Sequence, residues 1–281
     1  LYLKEVQRVV ILYLAGTPDM GLNKPYIQKN SMGIPLIIPG ALRTILKREV
    51  RDTKVIRALM SLISIYRVFH VDVRPSLTTI TSPFDGISKV LDVELIRASL
   101  KDLSISTLKL KTISHLVLES ASPNAPKSTF GAPLDLLAYC KDINYSLRLI
   151  KYLLYHKEYL FSLYLISLLL FAYPLSFFID GDYHLGKLSV VYDQAGKARV
   201  IAITNYFTQV ALKPLHDSIF SELGLLPEDG TFDQEKPLRK LVATQSNEKF
   251  HCFDLSAATD RLPIDLQVQI LNLLNPGLGD H

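Results

Sequence analysis

Tryptophan is absent from this 281-residue chain, methionine occurs three times and cysteine only twice. Cys140 and Cys252 lie far apart without metal-ligand spacing, which excludes a disulfide framework and a zinc site and leaves two reduced, buried thiols as the expectation. No internal repeat, Walker loop, G-x-G-x-x-G or nucleophilic triad is visible, so the common phosphate-loop, dinucleotide and hydrolase chemistries have no motif to rest on. Charge of one sign is not abundant either. The 31 basic residues exceed the 27 acids by a net +4, which permits a polyanionic partner without requiring one. With 48% hydrophobic and 21% charged residues, the chain can bury a substantial core in one large or two smaller domains and is no disordered tail. An Arg-rich, acid-poor presequence is not seen at the N-terminus; the chain starts at Leu1 rather than Met and closes on GLGDH after a helix stop, so both ends read as cut.

What is present begins with helix. In LYLKEVQRVVILYLAG, Leu3, Val6, Val9 and Val10 recur at near-helical spacing until Gly16 stops the run. GIPLIIPG (33–40) holds two prolines in an apolar run, so it reads as an extended, packed connection that opens a helix at Ala41. From Ala41 to Arg74 eight Lys or Arg face three acids, a local +5 that suits either a groove tracking a nucleic-acid backbone or a solvated helix face. Residues 75–88 read as loop. SASPNAPKSTFGAP (120–133), with three prolines among small polar residues and Lys127 within it, is the best candidate boundary, and Leu134 to Leu149 reads as helix.

Tyr159 to Ile179 then runs 21 residues without a charge, long enough to span a bilayer. Pro174, the interspersed tyrosines and serines, and flanks without a polybasic anchor (His156, Lys157, Glu158; Asp180, Asp182) favour a buried or partner-covered helix instead.

Two segments carry chemistry. In Gly186 to Gln209, Leu188–Tyr192 and Lys197–Ile203 are β-rich with DQAG between them, a hairpin whose second strand projects Lys197 and Arg199 from one face. A point charge beside a planar five-donor fork suits a triphosphate, although an exposed structural pair has the same pattern. Asn205 or Thr204 caps the following helix, which is kinked near Pro214 and ended by Gly224. His216 on that helix reads as a surface or core histidine, and Asp233 and Gln234 read as template contacts or as a loop held by side-chain hydrogen bonds. Later, Phe250, Cys252 and Asp254 alternate as a short strand, and Leu266, Ile270, Leu273 and Leu274 form a helical stripe that starts at Pro263. The crossing brings Asp254 and Asp260 near one another. Carboxylates so paired suit Mg²⁺, which takes one or two of them plus phosphate oxygens, but Asp260 equally suits a helix cap.

The residues between those aspartates are more specific than their spacing. DLSAATDRLP resembles motif A of RNA-directed RNA polymerases in the version carried by mitoviruses, and AGKARVIAI resembles their fingers motif, motif F. GIPLIIPG, TSPFDG, LKPLH and DGTFDQEKP also look like mitovirus polymerase segments, so the likeness is sparse before residue 180 and dense from Gly186 to Gln269. Phe207 stands where related sequences commonly carry tryptophan. The resemblance implies a helix-rich α+β fold, part of a right-hand polymerase: an N-terminal helical region over 1–125, a fingers region over 126–248 that includes the hairpin at 186–203, and the start of the palm over 249–281.

It also implies nucleotidyl transfer, in which a nascent 3′ hydroxyl attacks the α-phosphate of an incoming nucleoside triphosphate and displaces pyrophosphate. By that likeness Asp254 ligates Mg²⁺ or Mn²⁺, Asp260 recognises the ribose 2′-hydroxyl, and Lys197 and Arg199, with Lys187 a third candidate, neutralise the triphosphate. Arg261 supports either group or makes a salt bridge. The implied partners are an RNA template, the nascent strand and nucleoside triphosphates, with peripheral membrane contact, no obligate protein partner and a mitochondrial location in the host. The family's Gly-Asp-Asp does not appear before His281, so the chain as given is expected to hold metal weakly and to polymerise nothing. A non-catalytic relic or RNA-binding fragment, and an integral membrane protein through 159–179, are the alternative readings.

Overall fold

The computed structural model describes residues 1–17, 25–47, 52–68, 73–83, 92–105, 107–193, 197–244, 253, 255 and 258–280. Contacts divide the chain into two compact units, Leu1–Ser76 with Val190–Val200, and Leu77–Ser189 with Ile201–His281. Among the described residues it is a helix-rich α+β protein whose sheet has two strands.

The first unit contains α1 (Tyr2–Leu14), α2 (Gly40–Leu46) and α3 (Thr53–Ile63), followed by a 3-10 turn at Ser64–Arg67. Apolar spacing makes α1 amphipathic: Val6, Val9 and Val10 are buried on one stripe with Ile34, Leu46 and Leu59. Gln7 closes the layer with two 3.0 Å hydrogen bonds, donating to the Ser64 hydroxyl and accepting from the Tyr66 hydroxyl. Pro39 precedes α2 as expected from its fixed backbone, and Asp52 starts α3 by accepting from the Lys54 amide at 2.8 Å. The basic stretch is therefore two separate helices. Lys47, Lys54, Arg57, Arg67 and Arg74 are all exposed, while Arg48 and Arg51 lie outside the described residues.

The second unit begins with α4 (Thr78–Thr81), a single turn where loop was expected, and α5 (Val93–Asp102). Its centre is α6 (Ser128–Lys141), α7 (Ile143–Tyr155) and α8 (Tyr159–Ser176), with α8 packed on both of the others. The sequence reads Leu134 to Leu149 as one helix; the structure breaks it at Asp142, whose carboxylate accepts from the Tyr145 amide at 3.0 Å and so starts α7. A cap inside an apolar run outweighs the continuity of the stripe. The strands β1 (Gly186–Asp193) and β2 (Lys197–Thr204) form the expected hairpin, and the rest of the DQAG turn, 194–196, lies outside the described residues. Beyond them come α9 (Tyr206–Leu225), which contains Pro214, then α10 (Lys236–Thr244), which the sequence reading missed, and α11 (Ala258–Arg261) and α12 (Ile264–Leu274).

Tyr139, Leu153, Leu165, Phe207 and Val210 are the most enclosed apolar residues of this unit's core. Cys140 is buried there with a free thiol, and Cys252 lies outside the described residues. The uncharged run forms α8, the one described helix long and apolar enough to cross a membrane, with 22% of it buried. Phe161, Leu165 and Ala172 make its packed face. At 100° per residue Leu160, Leu163, Leu170 and Phe171 fall on the opposite arc, and all four are exposed.

Candidate functional site

The hairpin places the sequence-predicted cations first. Lys197 and Arg199 are both exposed and two apart on β2, so they share a face of the strand. Arg199 is steered by Asp193, the last residue of β1: its Nε and Nη2 reach the same carboxylate oxygen at 3.1 and 3.0 Å. An ion pair this exposed contributes at most about 1 kcal/mol, so a polyphosphate could displace the carboxylate at little cost. Lys187 is exposed near the start of β1.

Both feet of the hairpin run into polar side chains of the second unit, the half-buried Asn124 and the buried Asn205 and Asp135. Ahead of β1, Asn124 holds His184 by both backbone groups, donating to its carbonyl at 2.9 Å and accepting from its amide at 3.0 Å. After β2, Asn205 caps α9 by accepting from the Thr208 amide at 3.0 Å, and its side-chain amide donates to the Leu185 carbonyl at 3.0 Å. Asp135 joins the two. One of its oxygens accepts from Asn124 at 2.7 Å, and the other accepts from the Tyr206 amide at 2.7 Å.

Tyr139 stands one turn along α6 and donates to the Asn205 side-chain carbonyl at 3.0 Å. Asp135, Asn205 and Tyr139 are each 0% exposed. Burial holds the Asp135 carboxyl above its ordinary pKa, against the opposing pull of its hydrogen bonds from Tyr206 and Asn124. Burial likewise pushes the Tyr139 phenol up. Asn205 was one of two caps expected from sequence; Asn124, Asp135 and Tyr139 were not singled out. The signal that could have found Asp135 is an acid inside the apolar run PLDLLAYC, a position that stays buried only when its oxygens are hydrogen-bonded.

Asp254 lies outside the described residues, as does nearly all of the strand expected to carry it, 250–254. Its described neighbours Phe253 and Leu255 are exposed. Asp260 is exposed within the single turn of α11. Arg261 beside it is taken up by backbone, its Nη1 reaching the carbonyls of Pro83 at 3.0 Å and Ser82 at 3.4 Å, and among the described residues it makes no salt bridge. No group of three or more His, Cys, Asp or Glu that could hold a metal ion occurs among the described residues. The hard oxygen donors proposed from sequence, Asp254 and Asp260, are chemically suited to Mg²⁺, but the described residues alone do not assemble a cation site.

His216, Asp233 and Phe207 make local contacts. His216 stacks on Phe220 at 4.3 Å and lies 3.1 Å from the Asp217 carboxylate at the surface. Asp233 accepts from the Glu235 amide at 3.0 Å and pairs with Arg239, and these partners hold its carboxyl below the usual range; it organises a loop and the start of α10. Phe207 is 1% exposed and packs edge-on against Tyr139 at 5.5 Å.

Comparison with known proteins places these features in a family. Residues 108–277, which include α6 to α9 and both strands, match the family described as Mitovirus RNA-dependent RNA polymerase. The chain is 35% identical over 292 aligned positions to an RNA-directed RNA polymerase of Cryphonectria parasitica mitovirus 1, covering 97% of this chain and 36% of that protein. No solved structure matches. The chain thus spans about a third of the length of that curated relative, and it belongs to the mitovirus RNA-dependent RNA polymerase family.

Proposed function

We propose that this chain is the fingers and early palm portion of an RNA-directed RNA polymerase that replicates viral RNA in the host mitochondrion. The observation that carries the reading is the exposed pair Lys197 and Arg199 on β2, inside the matched region and inside the sequence that resembles motif F. In this reading the two cations receive the triphosphate of an incoming nucleotide and balance the charge that develops on pyrophosphate as it leaves. Arg199 exchanges its bond to Asp193 for phosphate oxygens, and Lys187 helps to draw polyanions to the hairpin. Asp254 would hold a divalent cation and Asp260 would meet the ribose; when bound, that ion would supply charge stabilisation and a more acidic attacking hydroxyl. No Gly-Asp-Asp occurs in the chain, so on this reading it binds nucleotide and RNA without incorporating nucleotide.

The test is binding of a fluorescent nucleoside triphosphate to the chain, followed by anisotropy at several salt concentrations. Replacing Lys197 and Arg199 together by alanine is expected to weaken binding at least about tenfold, since charge-assisted hydrogen bonds contribute roughly 1.5–3 kcal/mol each. The salt dependence should flatten in parallel. Equal affinity for the double variant and the parent chain would remove the basis for the reading.

A second contact is favoured by α8. Its apolar arc, with Leu163 66% and Phe171 76% exposed, suits peripheral attachment to a lipid surface, since soluble monomers rarely leave so continuous a stripe uncovered. Flotation with uncharged phosphatidylcholine vesicles is expected for the parent chain and not for Leu163→Glu combined with Phe171→Glu. If the parent chain sediments away from vesicles, lipid is not what covers the arc.

A further inference from the structure

Among the described residues the hairpin has no third strand to stiffen it, and a two-stranded ribbon is at best marginally stable on its own. Contacts outside the ribbon must help to set its geometry, and those at its feet lie in the second unit. Both ends are fixed by directional hydrogen bonds that converge on one carboxylate: Asp135 reaches His184 ahead of β1 through Asn124, and reaches the Tyr206 amide after β2 directly. Asn205 spans the same gap from the other side by bonding Leu185. Apolar packing could hold two strands together with equal strength. It would not set their angle, because burial of apolar surface is non-directional, whereas paired amide and carboxylate contacts fix distance and orientation together.

We propose that Asn124 and Asp135 are positioning residues for nucleotide binding: they clamp the feet of the β1–β2 hairpin and so fix the start of β1 against the end of β2, the strand that carries Lys197 and Arg199. The inference rests on the polymerase reading of those two cations. The clamp residues touch neither nucleotide nor RNA. They act through the backbone of residues 184 and 206, which is how a hydrogen-bonded network preorganises a binding constellation carried on a short element.

The experiment compares the whole chain with Asn124→Ala, with the isosteric Asn124→Asp, with Asp135→Asn, with the pair Asn124→Asp and Asp135→Asn together, and with Lys197→Ala/Arg199→Ala. Three quantities are read: amide hydrogen exchange by peptide, affinity for the fluorescent triphosphate, and thermal unfolding. Asn124→Ala should raise exchange across 186–204 roughly tenfold while peptides of α7 and α8 keep the parent rate, and triphosphate affinity should fall about three- to tenfold. The paired exchange restores a hydrogen bond between the two side chains with donor and acceptor reversed. It should recover part of the hairpin protection that either single change loses.

Uniformly faster exchange in every peptide would show a purely stabilising role and overturn the proposal. So would a loosened hairpin with unchanged triphosphate affinity. Should Asn124→Ala fail to fold, Asn124→Asp decides by the same criteria, since it alters donors without removing volume. If the Lys197→Ala/Arg199→Ala chain binds triphosphate like its parent, the polymerase reading of the cations is what has failed; the exchange data still show whether the clamp sets the hairpin.

Discussion

Tyr139→Ala is expected to be the most destabilising single change in the second unit's core, with a much lower urea midpoint than the parent chain. The side chain is 0% exposed and touches Tyr145 and Phe207 edge-on at 5.4 and 5.5 Å, so truncation opens a cavity at the junction of α6, α7 and α9. Removing a buried aromatic ring costs about 3–5 kcal/mol. The hydroxyl adds to this, because the Asn205 side chain at 3.0 Å and the Thr208 hydroxyl at 2.9 Å each lose a buried partner, at about 1 kcal/mol apiece. Set against a total stability of about 5–15 kcal/mol for an ordinary domain, that sum is a large share of the whole. Tyr139→Phe isolates the polar part. It keeps the ring contacts and should cost only about 1–2 kcal/mol. Urea denaturation followed by far-ultraviolet circular dichroism separates the two; equal midpoints for both variants would mean that the ring contributes nothing beyond its hydroxyl.

Gly131→Ala is the second large effect, and its sign is the informative part. Within a helix this change normally stabilises by about 0.5–1 kcal/mol, because glycine loses the most backbone freedom on folding. At Gly131 the new methyl would meet the Ser122 hydroxyl, the Ala125 Cβ at 2.9 Å and the Ser122 Cβ at 3.3 Å. That loop cannot easily retreat: the Ser122 amide donates to the Ala125 carbonyl at 2.9 Å, and the Ala125 amide donates to the Ser122 hydroxyl at 3.1 Å. Overpacking costs about 1–3 kcal/mol, which outweighs the entropic gain. A lower melting temperature is therefore expected. Asn124 sits in the same loop, so hydrogen exchange across the hairpin should rise as well. A variant that melts above its parent would show that the loop yields freely.

The elements legible from sequence were those whose signal is local. Val6, Val9 and Val10 gave α1, the β-rich runs on either side of DQAG gave the hairpin, and the stripe after Pro263 gave α12. The break at Asp142 was not legible, because hydrophobic spacing continues through it and only the cap bond to Tyr145 reveals the stop. For the same reason α10 was missed: the segment ahead of it reads as turn residues, and only the bond of Asp233 to the Glu235 amide shows how the chain is turned just before the helix. The site divides in the same way. Lys197 and Arg199 could be found because they sit two apart on one strand. The cap at Asn205 was legible, but its bond to Leu185 and the bonds of Asn124 and Asp135 were not, because the partners lie 20, 60 and 71 residues away and no periodicity links them. Arg261 shows the limit of reasoning from a neighbour in sequence. Its place beside Asp260 suggested a ligand or salt-bridge role, yet its guanidinium is spent on two carbonyls almost 180 residues distant.

One residue of the core offers a way to time its motions. Cys140 is 7% exposed, and burial pushes its thiol up, so the nucleophilic thiolate is scarce while α6 stays packed. In a Cys252→Ser background, an alkylating reagent added in excess would modify Cys140 only during the brief intervals when the helices part. The label accumulates like ticks of a clock, each one recording a visit to the open state, without any probe having to be engineered into the chain.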